Sequence, residues 1–258
     1  MDRENLAIQN NVFPSLNEIF NLEGRFSLIA GPCSVESEGQ MVQIAEALVR
    51  NNVKFIRGGA YKPRTSPYDF QGLGIDGLKI LDYIRQRYGL IIVSEIMEPG
   101  HIEYGLRFTD VIQIGSRNMQ NTPLLMEAGR SRHPILLKRG MMSTIKEFYM
   151  AAEYIAAGGN RNIILCERGI RTFEDATRNT LDISAIAIIQ KETTLPVVAD
   201  LSHSLGRTDI IGPVAKAVLA MGASGIMVEV HNNPDAALSD SGQQMSLEAF
   251  QAFIDEIN

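Results

Sequence analysis

The feature that most narrows the fold is a repeated change of hydrophobic period. Eight times along the chain a short, mostly apolar run gives way to a stretch whose apolar residues recur at helical spacing. The runs cover residues 26–30, 53–56, 90–93, 111–114, 135–137, 163–166, 196–199 and 225–230. Among the helical stretches, 41–49 sets Met41, Ile44, Ala45 and Leu48 on one face, and Leu78, Leu81 and Ile84 do the same further on. Shorter helical pieces fall at 101–106 and 123–126, and longer ones at 181–191, 210–221 and 247–257. Thr144 and Glu147 form a capping box that opens another.

Strands apolar on both faces suit a parallel sheet covered by helices. Eight strand-helix units in 258 residues fit one closed α/β barrel, the (β/α)8 or TIM barrel. The rival is an open doubly wound sheet. Its nucleotide-binding form calls for G-x-G-x-x-G after the first strand, where this chain reads Gly31-Pro32-Cys33-Ser34. No linker or low-complexity tract interrupts the series, so a single barrel domain is expected over residues 25–258. Residues 1–24 read as an N-terminal extension, a short strand or a plug beneath the barrel.

Barrel enzymes keep their chemistry where the strands end. Here the ends are Cys33, Arg57 with the loop that follows it, Glu95, Arg117, Lys138 with Arg139, Glu167 with Arg168, Asp200 with His203, and Glu229. Loops are polar in any protein, but a full circle of charged or metal-binding side chains is hard to obtain from a purely structural barrel. Composition narrows the partners. The formal charge is -6 with no run of Lys or Arg, which argues against nucleic acid. No apolar run reaches the roughly 18 residues of a membrane span, and residues 1–5 lack a signal peptide's order. With Cys33 and Cys166 as the only cysteines, a disulfide framework is excluded and a cytoplasmic location is expected.

The strand-end residues sort into two chemistries. Cys33, His203 and Glu229, with Asp240 or Asp235 from the last loop, give a thiolate, imidazole and carboxylate set suited to Mn, Fe, Co or Zn. In a closed barrel the first and last strands are neighbours, so these residues converge. The second set is cationic: Arg57, Lys62, Arg64, Arg117, Lys138 and Arg168. A single arginine is ordinarily a surface ion pair worth ~0 to 1 kcal/mol. Six converging cations instead call for a ligand carrying several negative charges, phosphate and carboxylate together. The loop from Arg57 to Gly74 is built for an anion. Pro63 and Pro67 stiffen it, its glycines open the backbone, and Arg64, Thr65 and Ser66 offer a planar fork and two hydroxyls.

The motifs together resemble the short, single-barrel 3-deoxy-D-arabino-heptulosonate 7-phosphate (DAHP) synthases. They are Ala30-Gly31-Pro32-Cys33-Ser34, Lys62-Pro63-Arg64-Thr65-Ser66, Phe70-Gln71-Gly72-Leu73-Gly74, the stretch from Gln113 to Asn121, Leu137-Lys138-Arg139-Gly140, the stretch from Cys166 to Thr172, Asp200-Leu201-Ser202-His203 and Glu229-Val230-His231. A sister family, the 3-deoxy-manno-octulosonate 8-phosphate (KDO8P) synthases, typically reads Lys-Ala-Asn-Arg-Ser at the second motif. Pro63 and Arg64 therefore favour erythrose 4-phosphate over arabinose 5-phosphate as the acceptor. A non-catalytic phosphate-binding barrel serving as a scaffold is the remaining alternative.

The resemblance implies a metal-dependent condensation of phosphoenolpyruvate with erythrose 4-phosphate, the entry step of aromatic amino-acid synthesis. It assigns the phosphoenolpyruvate phosphate to Arg117, with Gly115 and Ser116 beside it, and to Arg168 with Lys138. The carboxylate falls to Arg57 and Lys62, and the sugar phosphate to Arg64, Thr65 and Ser66. Catalysis falls to Lys62 as proton donor, Glu95 as holder of a water, and the ion on Cys33, His203, Glu229 and Asp240. It further implies a homo-oligomer, dimer or tetramer. Many relatives carry a chorismate mutase or feedback domain; here such control falls to a separate partner, is absent, or belonged to a fusion. Leu201 departs from the proline often found there.

Overall fold

The computed structural model describes residues 6–64 and 66–257. Among them eight parallel strands pair in chain order and close on themselves, β1 bonding to both β2 and β8. The strands are β1 (Ser27–Gly31), β2 (Phe55–Arg57), β3 (Ile91–Glu95), β4 (Val111–Ile114), β5 (Ile135–Lys138), β6 (Ile163–Glu167), β7 (Val197–Asp200) and β8 (Gly225–Glu229). The closing seam runs from Ser27 opposite Gly225 to Gly31 opposite Glu229. Outside lie α3 (Glu38–Arg50), α4 (Ile75–Tyr88), α5 (Ile102–Phe108), α6 (Thr122–Ser131), α7 (Ile145–Ala157), α8 (Ile183–Glu192), α10 (Ile211–Ala220) and α11 (Leu247–Ile257). No helix among the described residues is long and apolar enough to cross a membrane.

The two-residue period of a strand decides what each face holds. Ala30, Ile56, Ile92, Ile112, Ile135, Leu165, Val197 and Val228 join the core between sheet and helices. Ile29, Phe55, Val93, Val111, Leu136, Ile164, Val198 and Met227 fill the barrel interior. One more inward step along each strand reaches the upper rim. The residues there are Gly31, Arg57, Glu95, Gln113, Lys138, Cys166, Asp200 and Glu229, all buried. The interior is thus an apolar floor under a polar, charged layer.

The N-terminal extension contains two short helices, α1 (Ala7–Asn10) and α2 (Leu16–Phe20), in place of a strand. A capping box between Ser15 and Glu18 starts α2. Leu16, Ile19, Phe20 and Leu22 then pack against the apolar floor, with the Phe20 ring edge-on to Phe55 at 5.0 Å. A further helix, α9 (Leu201–Leu205), stands directly on the end of β7 where the sequence reads as loop. The Asp200 side chain caps it by accepting from the His203 amide.

Candidate active site

The polar layer opens into a cavity of about 240 Å³ at the C-terminal mouth of the barrel. Arg57, Lys62, Arg64, Glu95, Gly115, Ser116, Arg117, Lys138, Arg168, His203 and Asp240 all line it. Thr65 lies outside the described residues. Ser66 is not on the cavity wall; its hydroxyl accepts from the Tyr68 amide within its own loop. Arg139 also faces elsewhere, pairing with Glu167 at 2.9 Å and Asp182 at 2.8 Å.

On one side the seam between β1 and β8 gathers the donor set. One ligand atom each from Cys33, His203, Glu229 and Asp240 lie within 4.8 Å of one another. Asp235, the alternative in the last loop, is exposed and outside this group. Each donor is held by a neighbour. His203 Nδ1 bonds to Asp200 at 2.8 Å, which turns Nε2 toward Glu229 at 3.5 Å. Arg57 pairs with Glu229 from one side, and Gln243 donates to its other oxygen at 2.6 Å. Cys33 Sγ lies 3.2 Å from Asp240 and 2.9 Å from Lys62 Nζ, while its amide donates to Gln244 at 2.9 Å.

Charge follows from this crowding. Burial pushes the Cys33 thiol up to about 12, with Glu229 and Asp240 adding to it against Lys62 and Arg57. Burial alone would raise Glu229 and Asp200. His203, Arg57 and Lys62 nevertheless hold Glu229 well below the usual carboxylate range, and His203 with Lys138 do the same for Asp200. Burial lowers His203, against the pull of Asp200 and Glu229. The site therefore presents a neutral imidazole and ionised carboxylates, the protonation states a ligand set needs apart from its thiol.

On the other side the cations face open space with donors to spare. Arg57 Nε is buried and has no partner, and Arg117 makes no hydrogen bond or ion pair among the described residues. Among the described residues Arg168 reaches only the Gly169 carbonyl, at 3.4 Å, and burial followed by the nearby Arg178 lowers it. Lys138 is paired with the buried Asp200. Glu95 stands among these cations, yet burial outweighs Lys62, Lys138, Arg57 and Arg117 and raises its pKa. Among the described residues its Oε1 has no partner, and Gln113 reaches its Oε2, at 3.4 Å. An unmet acceptor ringed by unmet donors is a site for an anion with a water beside it.

Sequence reading passed over Arg178, Gln243 and Met141, and it gave Asp200, and Gln113 within its motif, a place without a role. Arg178, Gln113 and Met141 line the cavity. Only Asp200 carried a usable signal, a carboxylate three residues before a candidate His ligand.

The model of the DAHP synthetase I family matches residues 10–258. The chain is 53% identical over 234 residues to the phospho-2-dehydro-3-deoxyheptonate aldolase of Thermotoga maritima, which covers 91% of this chain and 69% of that one. It is 31% identical over 249 residues to a 2-dehydro-3-deoxyphosphooctonate aldolase of Syntrophotalea carbinolica, covering 90% and 89%. The crystal structure of the Thermotoga maritima DAHP synthase superposes with a TM-score of 0.87 at 52% identity, over 90% of this chain and 68% of that one. A truncated form of the same organism's 3-deoxy-D-arabino-heptulosonate 7-phosphate synthase gives 0.83 at 49%, over 90% and 85%.

Proposed function

The chain belongs to the DAHP synthetase I family, as an enzyme of the DAHP synthase kind, and from that premise we propose that it condenses phosphoenolpyruvate with D-erythrose 4-phosphate and water. The products are 3-deoxy-D-arabino-heptulosonate 7-phosphate and phosphate, at the head of the shikimate pathway. One juxtaposition carries this reading. Four donor atoms within 4.8 Å stand beside a cavity lined by Arg57, Lys62, Arg64, Arg117, Lys138 and Arg168.

The donor set of Cys33, His203, Glu229 and Asp240 fits Mn, Fe, Co or Zn better than Mg. A divalent ion bound there supplies Lewis-acid polarisation of the sugar aldehyde. The chain's own residues do the rest. Arg117 and Arg168, with Lys138, Gly115 and Ser116 alongside, hold the phosphoenolpyruvate phosphate. Arg57 turns its spare Nε–H, with Lys62, toward the carboxylate. Arg64, Thr65 and Ser66 receive the sugar phosphate. Arg64 Nε is tied to the Phe70 carbonyl at 3.1 Å, which fixes the fork on its loop.

In the reaction C3 of phosphoenolpyruvate bonds to the aldehyde carbon, and Lys62 Nζ gives its proton to the aldehyde oxygen. Glu95, through its unpartnered Oε1, holds the water that adds at C2, and of that water's two protons one restores Lys62 and the other leaves with the phosphate. Breaking the C2–O bond then releases phosphate. Ser66 takes part only if the loop turns its hydroxyl away from Tyr68.

Phosphate release from phosphoenolpyruvate, measured with each sugar and with and without EDTA, tests the reading. Release with erythrose 4-phosphate that stops on chelation is expected. Release with arabinose 5-phosphate alone would assign the KDO8P synthase reaction, the activity named for the relatives near 31% identity. Binding of phosphoenolpyruvate with no release would make the barrel a scaffold, and turnover in EDTA would remove the metal. The same reading includes a homo-oligomer, dimer or tetramer, and control through a chorismate mutase domain or partner. Sedimentation with and without a chorismate mutase addresses both.

A further inference from the structure

Two carboxylates crowd the donor set, Glu229 and Asp240, and an arginine stands against each. Arg57 serves Glu229. On the far side Arg178 serves Asp240, with Nη1 3.5 Å from Oδ1. Arg178 comes from the loop between β6 and α8, which contributes no donor of its own. The same Nη1 donates to Gln243 Oε1 at 2.5 Å, and Gln243 Nε2 donates to Glu229 at 2.6 Å. One guanidinium therefore touches one ligand directly and a second through a single amide.

Its backbone ties in a third. Arg178 N donates to Leu205 O at 2.9 Å and Asn179 N to Ser204 O at 2.8 Å, while Asn179 Nδ2 donates to the His203 carbonyl at 2.8 Å. Residues 178–179 thus run along α9, the helix that presents His203. Gly206, at φ 69°, permits this approach, because a Cβ there would stand 2.5 Å from that of Arg178. Asp240 itself needs an outside hold. Its backbone is left-handed at φ 47°, and its carboxylate's other contact is the Cys33 thiol at 3.2 Å.

We infer that Arg178 is a positioning residue for the donor set, holding Asp240, and through Gln243 also Glu229, where a divalent ion can be shared with Cys33 and His203. This rests on the metal-dependent reading above. Without the guanidinium, Asp240 is repelled by Glu229 and free to swing outward. Outer partners of metal ligands typically matter by about 10- to 100-fold in affinity.

The test is titration of metal-free protein with Co(II), followed by calorimetry for every variant and by the thiolate-to-cobalt absorption where Cys33 is present, with no substrate added. Wild type, Arg178→Met, Arg178→Lys and Cys33→Ala are compared, and thermal midpoints check the fold. Arg178→Met is expected to bind at least tenfold more weakly with an unchanged midpoint, and Arg178→Lys to recover most of the loss. Equal affinity of Arg178→Met and wild type would overturn the inference while leaving the metal site intact. Failure of the wild type itself to bind would overturn the metal-dependent reading and this inference with it. If Arg178→Met proves unstable, Arg178→Lys decides, since an affinity like that of Cys33→Ala would contradict a role met by charge alone.

Discussion

Lys62 Nζ donates to the Cys33 carbonyl at 3.1 Å and to the Cys33 thiol at 2.9 Å. The proposed proton donor and the proposed ligand are therefore in contact before any substrate arrives, and substitutions can separate their roles. Cys33→Ala should lose divalent-ion uptake and turnover together, with a thermal midpoint within about 4 °C of wild type because one buried sulfur is lost. Lys62→Ala should keep ion uptake and part of the phosphoenolpyruvate binding while kcat falls about 10²- to 10⁴-fold. Stopped assays of phosphate release alongside ion titration check both. Unaltered kinetics in Lys62→Ala would take it out of the mechanism.

Gly115 matters for what its missing side chain leaves free. A Cβ there would collide with the Glu95 carboxylate, whose Oε1 is the unmet acceptor in the cavity. Gly115→Ala is expected to lower kcat at least about tenfold while KM for phosphoenolpyruvate moves little, because a displaced carboxylate no longer holds its water in line. Glu95→Gln should show the same pattern. Opposite effects of the two substitutions on kcat would separate Gly115 from Glu95.

How much of this was legible follows from the range over which each feature is encoded. Strand runs such as 163–166 were plain because both faces are apolar, and the Thr144 to Glu147 box marked α7 within one turn. Convergence of Cys33 with Glu229 followed from closure alone. What escaped were features that exist only between distant segments. Arg178 meets Gln243 across 65 residues, and no local period announces it. Helix α9 is five residues long, too short to show one. Helix α2 had a readable sign, Ser15 three residues before Glu18, which the polar surroundings concealed.

Asp200 is the buried link between the two halves of the site, accepting from His203 Nδ1 at 2.8 Å and pairing with Lys138. Asp200→Asn would leave the Lys138 ammonium buried without its counter-charge. Breaking such a pair from one side costs about 3–5 kcal/mol. Urea denaturation should show a loss of this order, and Asp200→Asn with Lys138→Met should lose less than Asp200→Asn alone. A loss below about 1 kcal/mol would mean that the pair is hydrated in solution.

His133, away from the site, sets an acid limit on stability. Burial lowers its pKa from the usual 6.5, outweighing Asp110, and its Nε2 has no partner among the described residues. The folded protein therefore resists a proton that the unfolded chain accepts. Its contribution is fully present above pH 6.5 and is lost as pH falls from there toward the depressed folded value. One proton bounds the slope at about 1.4 kcal/mol per pH unit. Urea midpoints measured at pH 7, 6 and 5 should fall in wild type and fall less steeply in His133→Gln, which cannot take up the proton. Parallel profiles for the two proteins would place the acid sensitivity in another group.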